Sequence, residues 1–260
     1  MKSRTLVFLS LIVLAMAGMV LAGNPEKIGT AGAQELLLPV GARATAVGGA
    51  CLASISGVDA MYWNPAGIAN TTQNVEAMFS HMRYIADINM TNVGVAAKLG
   101  FGSLAFSFQT LSFGDILQTT ESAPEGTGVT FSPEYFTLGA SFSRAMTDRI
   151  YAGINAKLVS EKIMGMTASG VAFDMGVQYL HSSGIRLGVA MKNYGNGIKY
   201  SGSNVERLVD IPNTESATPP RRLSVPTQKD ELPSKFEIGM SYDYKPMDKI
   251  NVLVMGNFVN

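Results

Sequence analysis

Few residues in this chain are of a type that does covalent or metal chemistry. Its two histidines, His81 and His181, stand 100 residues apart, and Cys51 is its single cysteine. Zinc and calcium sites need several ligands at short spacing, and no His-Glu-x-x-His, paired-cysteine or EF-hand pattern occurs. Gly-x-Ser-x-Gly, the elbow of an α/β-hydrolase, does not occur either. Ala46, Val47, Gly48, Gly49 and Ala50 are rich in small residues but have neither the spacing nor the Lys-Ser/Thr ending of a phosphate cradle. A Ser, His and acid gathered on a rim stays open, but the expectation is a protein that is not an enzyme, with no metal and no cofactor. A lone cysteine makes no intramolecular disulfide; it reads as a small buried residue, with a reactive thiol as the other reading.

The polar residues that remain are ionic or amide groups placed at every second position of apolar runs. Asp174, Gln178, Arg186, Lys192, Glu237 and Asp243 are the clearest. Alternation puts successive side chains on opposite faces of a strand, so these six share the face opposite the apolar one. From residue 75 onward such runs recur. Leu104, Phe106 and Phe108 alternate with Ser103, Ala105, Ser107 and Gln109. Phe136, Leu138, Ala140 and Phe142 alternate with Thr137, Gly139, Ser141 and Ser143. Ile150, Ala152, Ile154, Ala156 and Leu158 oppose Tyr151, Gly153, Asn155 and Lys157. The same holds over 171–179, 185–192, 236–244 and 250–258, with weaker runs at 75–84 and 91–99, which predicts nine strands.

The expected connections alternate in length. Those at 100–102, 147–149, 182–184 and 246–249 are tight, whereas 85–90, 113–133, 163–168 and 195–233 are longer. Tight turns on one side and long loops on the other are the rhythm of an up-and-down membrane barrel. Runs of ten residues or so suit a tilted membrane strand of about 9–11 residues better than a soluble strand of about 5–6. Tyr84, Tyr135, Tyr151, Tyr194, Tyr242 and Tyr244 fall near strand ends, as an interfacial girdle or as ordinary sheet aromatics. A soluble sandwich or lipocalin-like barrel explains the alternation too, but not the strand length or the loop rhythm.

Residues 1–22 read as a cleaved secretory signal. Lys2 and Arg4 precede an apolar stretch, and Val20, Leu21 and Ala22 precede the expected cut. Removing them leaves 18 basic against 20 acidic residues, a net of −2, which offers nucleic acid no electrostatic attraction. Beyond Ala22 no stretch approaches the length of a membrane helix, yet 47% of the chain is hydrophobic and only 15% charged. An odd strand number with a last run reaching Asn260 leads to the expectation that the barrel here is incomplete.

Residues 23–74 do not follow the strand rhythm. Gly29, Thr30, Ala31, Gly32, Ala33 and Gln34 are followed by Val40, Gly41, Ala42, Arg43 and Ala44, then by Val47, Gly48, Gly49 and Ala50. Asp59, Tyr62, Trp63, Asn64, Pro65, Ala66 and Gly67 close the block. Asn before Pro starts a turn, and Gly67 is expected to take a conformation closed to other residues. This block of about 40 residues resembles the N-terminal signature of the PorV/PorQ family, relatives of the FadL-type fatty-acid transporters. The resemblance implies an all-β, antiparallel, up-and-down transmembrane barrel over 75–260, plugged by an N-terminal hatch over 23–74. It places Arg43, Gly48, Gly49, Asp59, Trp63, Asn64, Pro65, Ala66 and Gly67 in the hatch. Arg43 either pairs with a lumen carboxylate such as Asp174, Glu237 or Asp243 or is a solvated arginine.

Some members of that family serve type IX secretion and others have no assigned role. The resemblance therefore implies an outer-membrane location and lipid contact. Secretion-system proteins or cargo would then meet loops 113–133 and 195–233. A FadL-like passage for hydrophobic small molecules, and a structural role without transport, remain as alternatives. The polar face read above leans against a wide apolar conduit.

Overall fold

The computed structural model describes residues 29–209, 221–224, 226–247 and 250–260. The expected signal at 1–22 lies outside them, as do 23–28 of the expected hatch, 210–220 and 225 of the loop expected over 195–233, and 248–249 of the turn expected over 246–249. Strand accounts for 56% and helix for 12%, so the protein is all-β.

Nine long strands form one antiparallel sheet. They are β1 (Val75–Arg83), β2 (Asn89–Leu99), β3 (Gly102–Ser112), β4 (Glu134–Ala145) and β5 (Ile150–Ile163), then β6 (Met166–Leu180), β7 (Ile185–Gly195), β8 (Lys235–Met247) and β9 (Ile250–Val259). Each pairs with its neighbour in sequence, a meander, with Ser201–Gly202 adding a short tenth strand beside β6. β1 and β9 are not paired with one another, so the sheet is open. Long connections leave β1, β3 and β7 at one end, and 113–133 folds back as a ribbon of Ile116–Leu117 on Thr130–Phe131.

One expected loop is corrected. β5 and β6 run on to Ile163 and Met166, and only Met164 and Gly165 turn between them, with φ of +44° and +77°. Positive φ at both central residues matches the twist of a two-residue hairpin. No Asn-Gly or Asp-Gly announces it in the sequence, because Met164 bears the unfavourable conformation.

The sheet is apolar outside and polar inside, the reverse of a soluble protein. Phe79, Phe106 and Ile154 are 72%, 61% and 57% exposed, whereas Asn155, Asp174 and Gln178 are 3%, 1% and 0% exposed. Phe173 is exposed, and Phe142 and Ile238 are half-buried on the same outer face. Of the six strand-end tyrosines, Tyr84, Tyr194, Tyr242 and Tyr244 are exposed. Tyr135 and Tyr151 face inward instead, because register sets them opposite the buried Leu111, Glu161 and Gln178.

The core lies between the inner face and the N-terminal segment. Cys51, Ile55, Val58, Met61, Trp63 and Ile68 pack with Ala96 and Ala105 of β2 and β3. The segment runs lengthwise along the wall. Gly32 donates to Glu231 at the long-connection end, Gln109 reaches Glu35, Ser143 reaches Ala66, and Lys98 holds Thr71 at the short-turn end, where β1 begins.

Candidate functional site

The best-built site is the seat of the N-terminal segment on the inner wall. Pro65 pushes Asn64 into an extended conformation, φ −155° and ψ 104°, and starts the 3-10 turn Pro65–Ala69. Asn64 caps that turn by accepting from the Ala66 amide at 3.2 Å. Its Nδ2 donates to the Leu52 carbonyl at 3.0 Å and to the Val177 carbonyl of β6 at 3.3 Å. One fully buried amide thus ties the turn, the preceding loop and the wall together. Trp63 donates from Nε1 to the Val40 carbonyl at 3.0 Å and packs edge-on against Tyr62.

The wall answers with amides, hydroxyls and glycines. Gln178 donates to the Leu52 and Ile55 carbonyls at 3.1 and 2.9 Å. Ser143 donates to Ala66 at 2.9 Å, and Asn257 to Gly49 at 2.7 Å. Gly153 and Gly176 stand opposite each other in register. A Cβ on the first would strike the Pro65 carbonyl, and on the second the Asn64 side chain. The inward glycines are therefore the floor on which the segment's backbone rests.

Gly67 corrects an expectation. It lies within a 3-10 turn rather than at positive φ, and it is required because a Cβ would meet the Ile55 carbonyl and Ala60. Gly48 and Gly49 do hold positive φ, at +63° and +76°, and Gly49 also lies under the Trp63 ring.

Every ionic lumen candidate finds a partner in a neighbouring strand. Lys157 bridges Asp174 at 2.7 Å, Lys192 bridges Glu237 at 3.0 Å, and Arg186 pairs with Asp243. Each pair is a diagonal one: Lys157 faces Ala172, Lys192 faces Lys235 and Arg186 faces Ser241, two residues short of the carboxylate. Long side chains span that diagonal. Lys192 also lies 4.9 Å from the Tyr62 ring centre and 5.1 Å from that of Trp63, a cation over two rings of the segment.

Of the two readings of Arg43 the solvated one holds: it forms no ion pair with Asp174, Glu237 or Asp243. All three are already neutralised by the wall, and Arg43 is exposed on the helix Ala42–Ala46. Its charge acts on Asp59, whose carboxyl burial raises above the ordinary value and Arg43 pulls back. Burial pushes the Cys51 thiol up to about 11, which favours its protonated form in the core.

Sequence reasoning missed Asn193. Register shifts between Phe173 and Met175, so Lys192 and Asn193 together oppose Asp174. Such a bulge breaks alternation and turns two consecutive residues inward, with Asn193 at φ +58°. Asn193 then donates its backbone amide to Asp174 at 2.8 Å and accepts from Lys157. The only available signal was asparagine's tolerance of positive φ.

No metal-ligand cluster exists among the described residues. His81 sits on β1 beside Thr91, and His181 lies in the turn after β6, at the opposite end of the sheet. Between the segment and β2 to β6 the enclosed space is about 30 Å³. A larger cleft of about 380 Å³, beside β9, is lined by Arg43, Asp59, Arg186 and Asp243 as well as apolar groups. Models of known families gave no match to this chain, and neither did curated proteins.

Proposed function

We propose that this protein is an outer-membrane protein of the PorV/PorQ type. Its strands would cross the bilayer as a β-barrel wall plugged by the N-terminal segment, and it would serve protein secretion or surface assembly. One observation carries the membrane part: large apolar residues point outward along every central strand, while asparagine, glutamine and ion pairs are buried. Water would oppose both halves of that arrangement, and lipid favours both. No described helix is long and apolar enough to cross a membrane, so the strands are the elements available to do so. The reading carries a requirement: β1 and β9 present unpaired backbone groups, each costing several kcal/mol in lipid, so other strands must pair with both edges in the membrane.

Protein partners fit better than a wide solute path. The space between the segment and the wall is about 30 Å³, far below the roughly 300–1,000 Å³ of ordinary ligand pockets. The cleft of about 380 Å³ beside β9 carries Arg43, Asp59, Arg186 and Asp243, which suits a hydrophobic solute poorly. At the long-connection end, Ile116, Leu117 and Val129 are exposed on the 113–133 ribbon, a small apolar surface suited to a partner protein. The base of the other long loop is occupied by the chain itself, since Ile198 is fully buried against Leu36 and Val159.

The membrane part is tested by mid-strand charge. Phe106→Arg is expected to destabilise the protein refolded in bilayers by about 2–4 kcal/mol, because it sets a cation in hydrocarbon. On a water-facing surface the same change would be neutral or better, so an unchanged urea midpoint overturns the reading. The full-length protein is also expected to fractionate with outer membranes and to migrate differently on gels after heating. The secretion part is tested in a deletion strain complemented with wild type or with Ile116→Ser and Leu117→Ser. Surface delivery of cargo should fall while long-chain fatty-acid uptake is unchanged; lost uptake with intact delivery replaces secretion with transport.

A further inference from the structure

At the long-connection end the N-terminal segment presents one carboxyl group to another. Glu35, in the 3-10 turn Gln34–Leu37, is 4% exposed, and Glu161 of β5 is 3% exposed. Neither Glu35 carboxyl oxygen has a hydrogen-bond partner. Glu161 accepts the hydroxyl of Tyr200, from the connection after β7, and Tyr135 of β4 faces the same group. Two carboxyls and two phenols are thus the titratable groups that meet from the turn, β4, β5 and the connection. Among the described residues no basic side chain bridges either carboxyl.

A buried carboxyl with no hydrogen-bond partner and no basic neighbour is held in its neutral form. We propose that Glu35 is seated as the neutral acid, and that its proton latches residues 31–40 against the inner wall while residues 49–69 stay seated without it. When that proton passes to water, Glu35 becomes a buried carboxylate without a partner, and the turn leaves β5 to solvate it. The two stretches differ in what else holds them. Residues 31–40 have Gly32 to Glu231, Gln109 to Glu35, Tyr62 to Leu36 and, at their last residue, Trp63 to Val40 at 3.0 Å. Residues 49–69 have Asn64, the Gln178 pair, Ser143, Asn257 and the glycine floor. Release would uncover Met90, Leu111 and Tyr135, on which Val40 and Leu38 pack.

Burial, then the Glu161 charge, raises the Glu35 carboxyl from 4.5 to about 8. The docked value lies above the undocked one, so docking is fully supported below 4.5 and the support is lost as pH rises through about 8. The latch rests on contacts within the chain and not on the membrane reading, so each fails separately.

Hydrogen exchange followed by mass spectrometry on the full-length protein tests it, with Glu35→Gln as the control for intrinsic exchange at each pH. The ratio of wild-type to variant exchange over 31–40 should rise about tenfold per pH unit from about pH 5 to about pH 8, then level off. Over 49–69 the ratio should stay flat, and Glu161→Gln should keep the rise over 31–40 but end it at a lower pH, since burial of Glu35 remains. A flat ratio over 31–40 overturns the latch, as does loosening of both stretches in parallel. Protection that persists at high pH until a chelator is added assigns the pair to a metal cation and overturns it equally.

Discussion

Asn64→Asp is expected to lower stability by about 3–5 kcal/mol, although it exchanges a single amide nitrogen for oxygen. The side chain is completely buried, and its Nδ2 donates to the carbonyls of Leu52 and Val177. A carboxylate donates nothing, so it would set negative charge against two carbonyl oxygens in a site without a cation. Asn64→Ala should cost less, about 1–3 kcal/mol, since it leaves the Ala66 amide unpaired without burying a charge. Urea unfolding of the purified protein in detergent reads both. If the Asp variant unfolds with the wild type, Asn64 does not fasten the segment to the wall. The ordering of the two variants is the sharper test, because loss of volume alone would make Ala the worse.

A comparable loss, about 3–5 kcal/mol, is expected for Asp174→Ala. Asp174 accepts from Lys157 at 2.7 Å, from the Asn193 amide at 2.8 Å and from Asn155 at 3.1 Å. Removing it strands the Lys157 ammonium, whose side chain is 11% exposed, and releases the bulge that turns Asn193 inward. Replacing both partners, as Lys157→Met with Asp174→Leu, should restore much of the loss, because no uncompensated charge is then buried. The double-mutant cycle, measured by the same unfolding experiment, gives a coupling of opposite sign to the single losses. A double variant as unstable as the sum of the singles would show that the pair contributes nothing as a pair.

The strands were legible because alternation is a one-dimensional property. Each of the nine expected runs lies in a strand, and the apolar residues of 103–109, 150–158 and 171–179 share the outer face as expected. What escaped was local geometry that leaves alternation unchanged or breaks it once. The Met164 and Gly165 turn carries no favoured dipeptide, and the Lys192 and Asn193 bulge appears only when β6 is laid beside β7. Gly67 was singled out correctly but for the wrong cause, since a close approach and a positive φ ask for the same residue.

Partnership was less legible than position. The sequence left Arg43 between a solvated position and an inner carboxylate, and register decided it by supplying each carboxylate with a basic neighbour on the next strand. Glu35 drew no notice, because a carboxyl among leucines on a short turn has no pattern to mark it. Its environment is made by Glu161 and Tyr200, more than a hundred residues away in the chain.

The order of residues by itself determined that this chain builds long strands with one oily face and one polar face, since each side chain's face depends only on its own place in the run. Which polar groups touch, and that a glycine-floored wall receives Asn64 and Pro65, was decided by the tertiary structure alone. Contact depends on the register between strands and on the path of the segment across them, and neither quantity is a property of any single stretch of sequence.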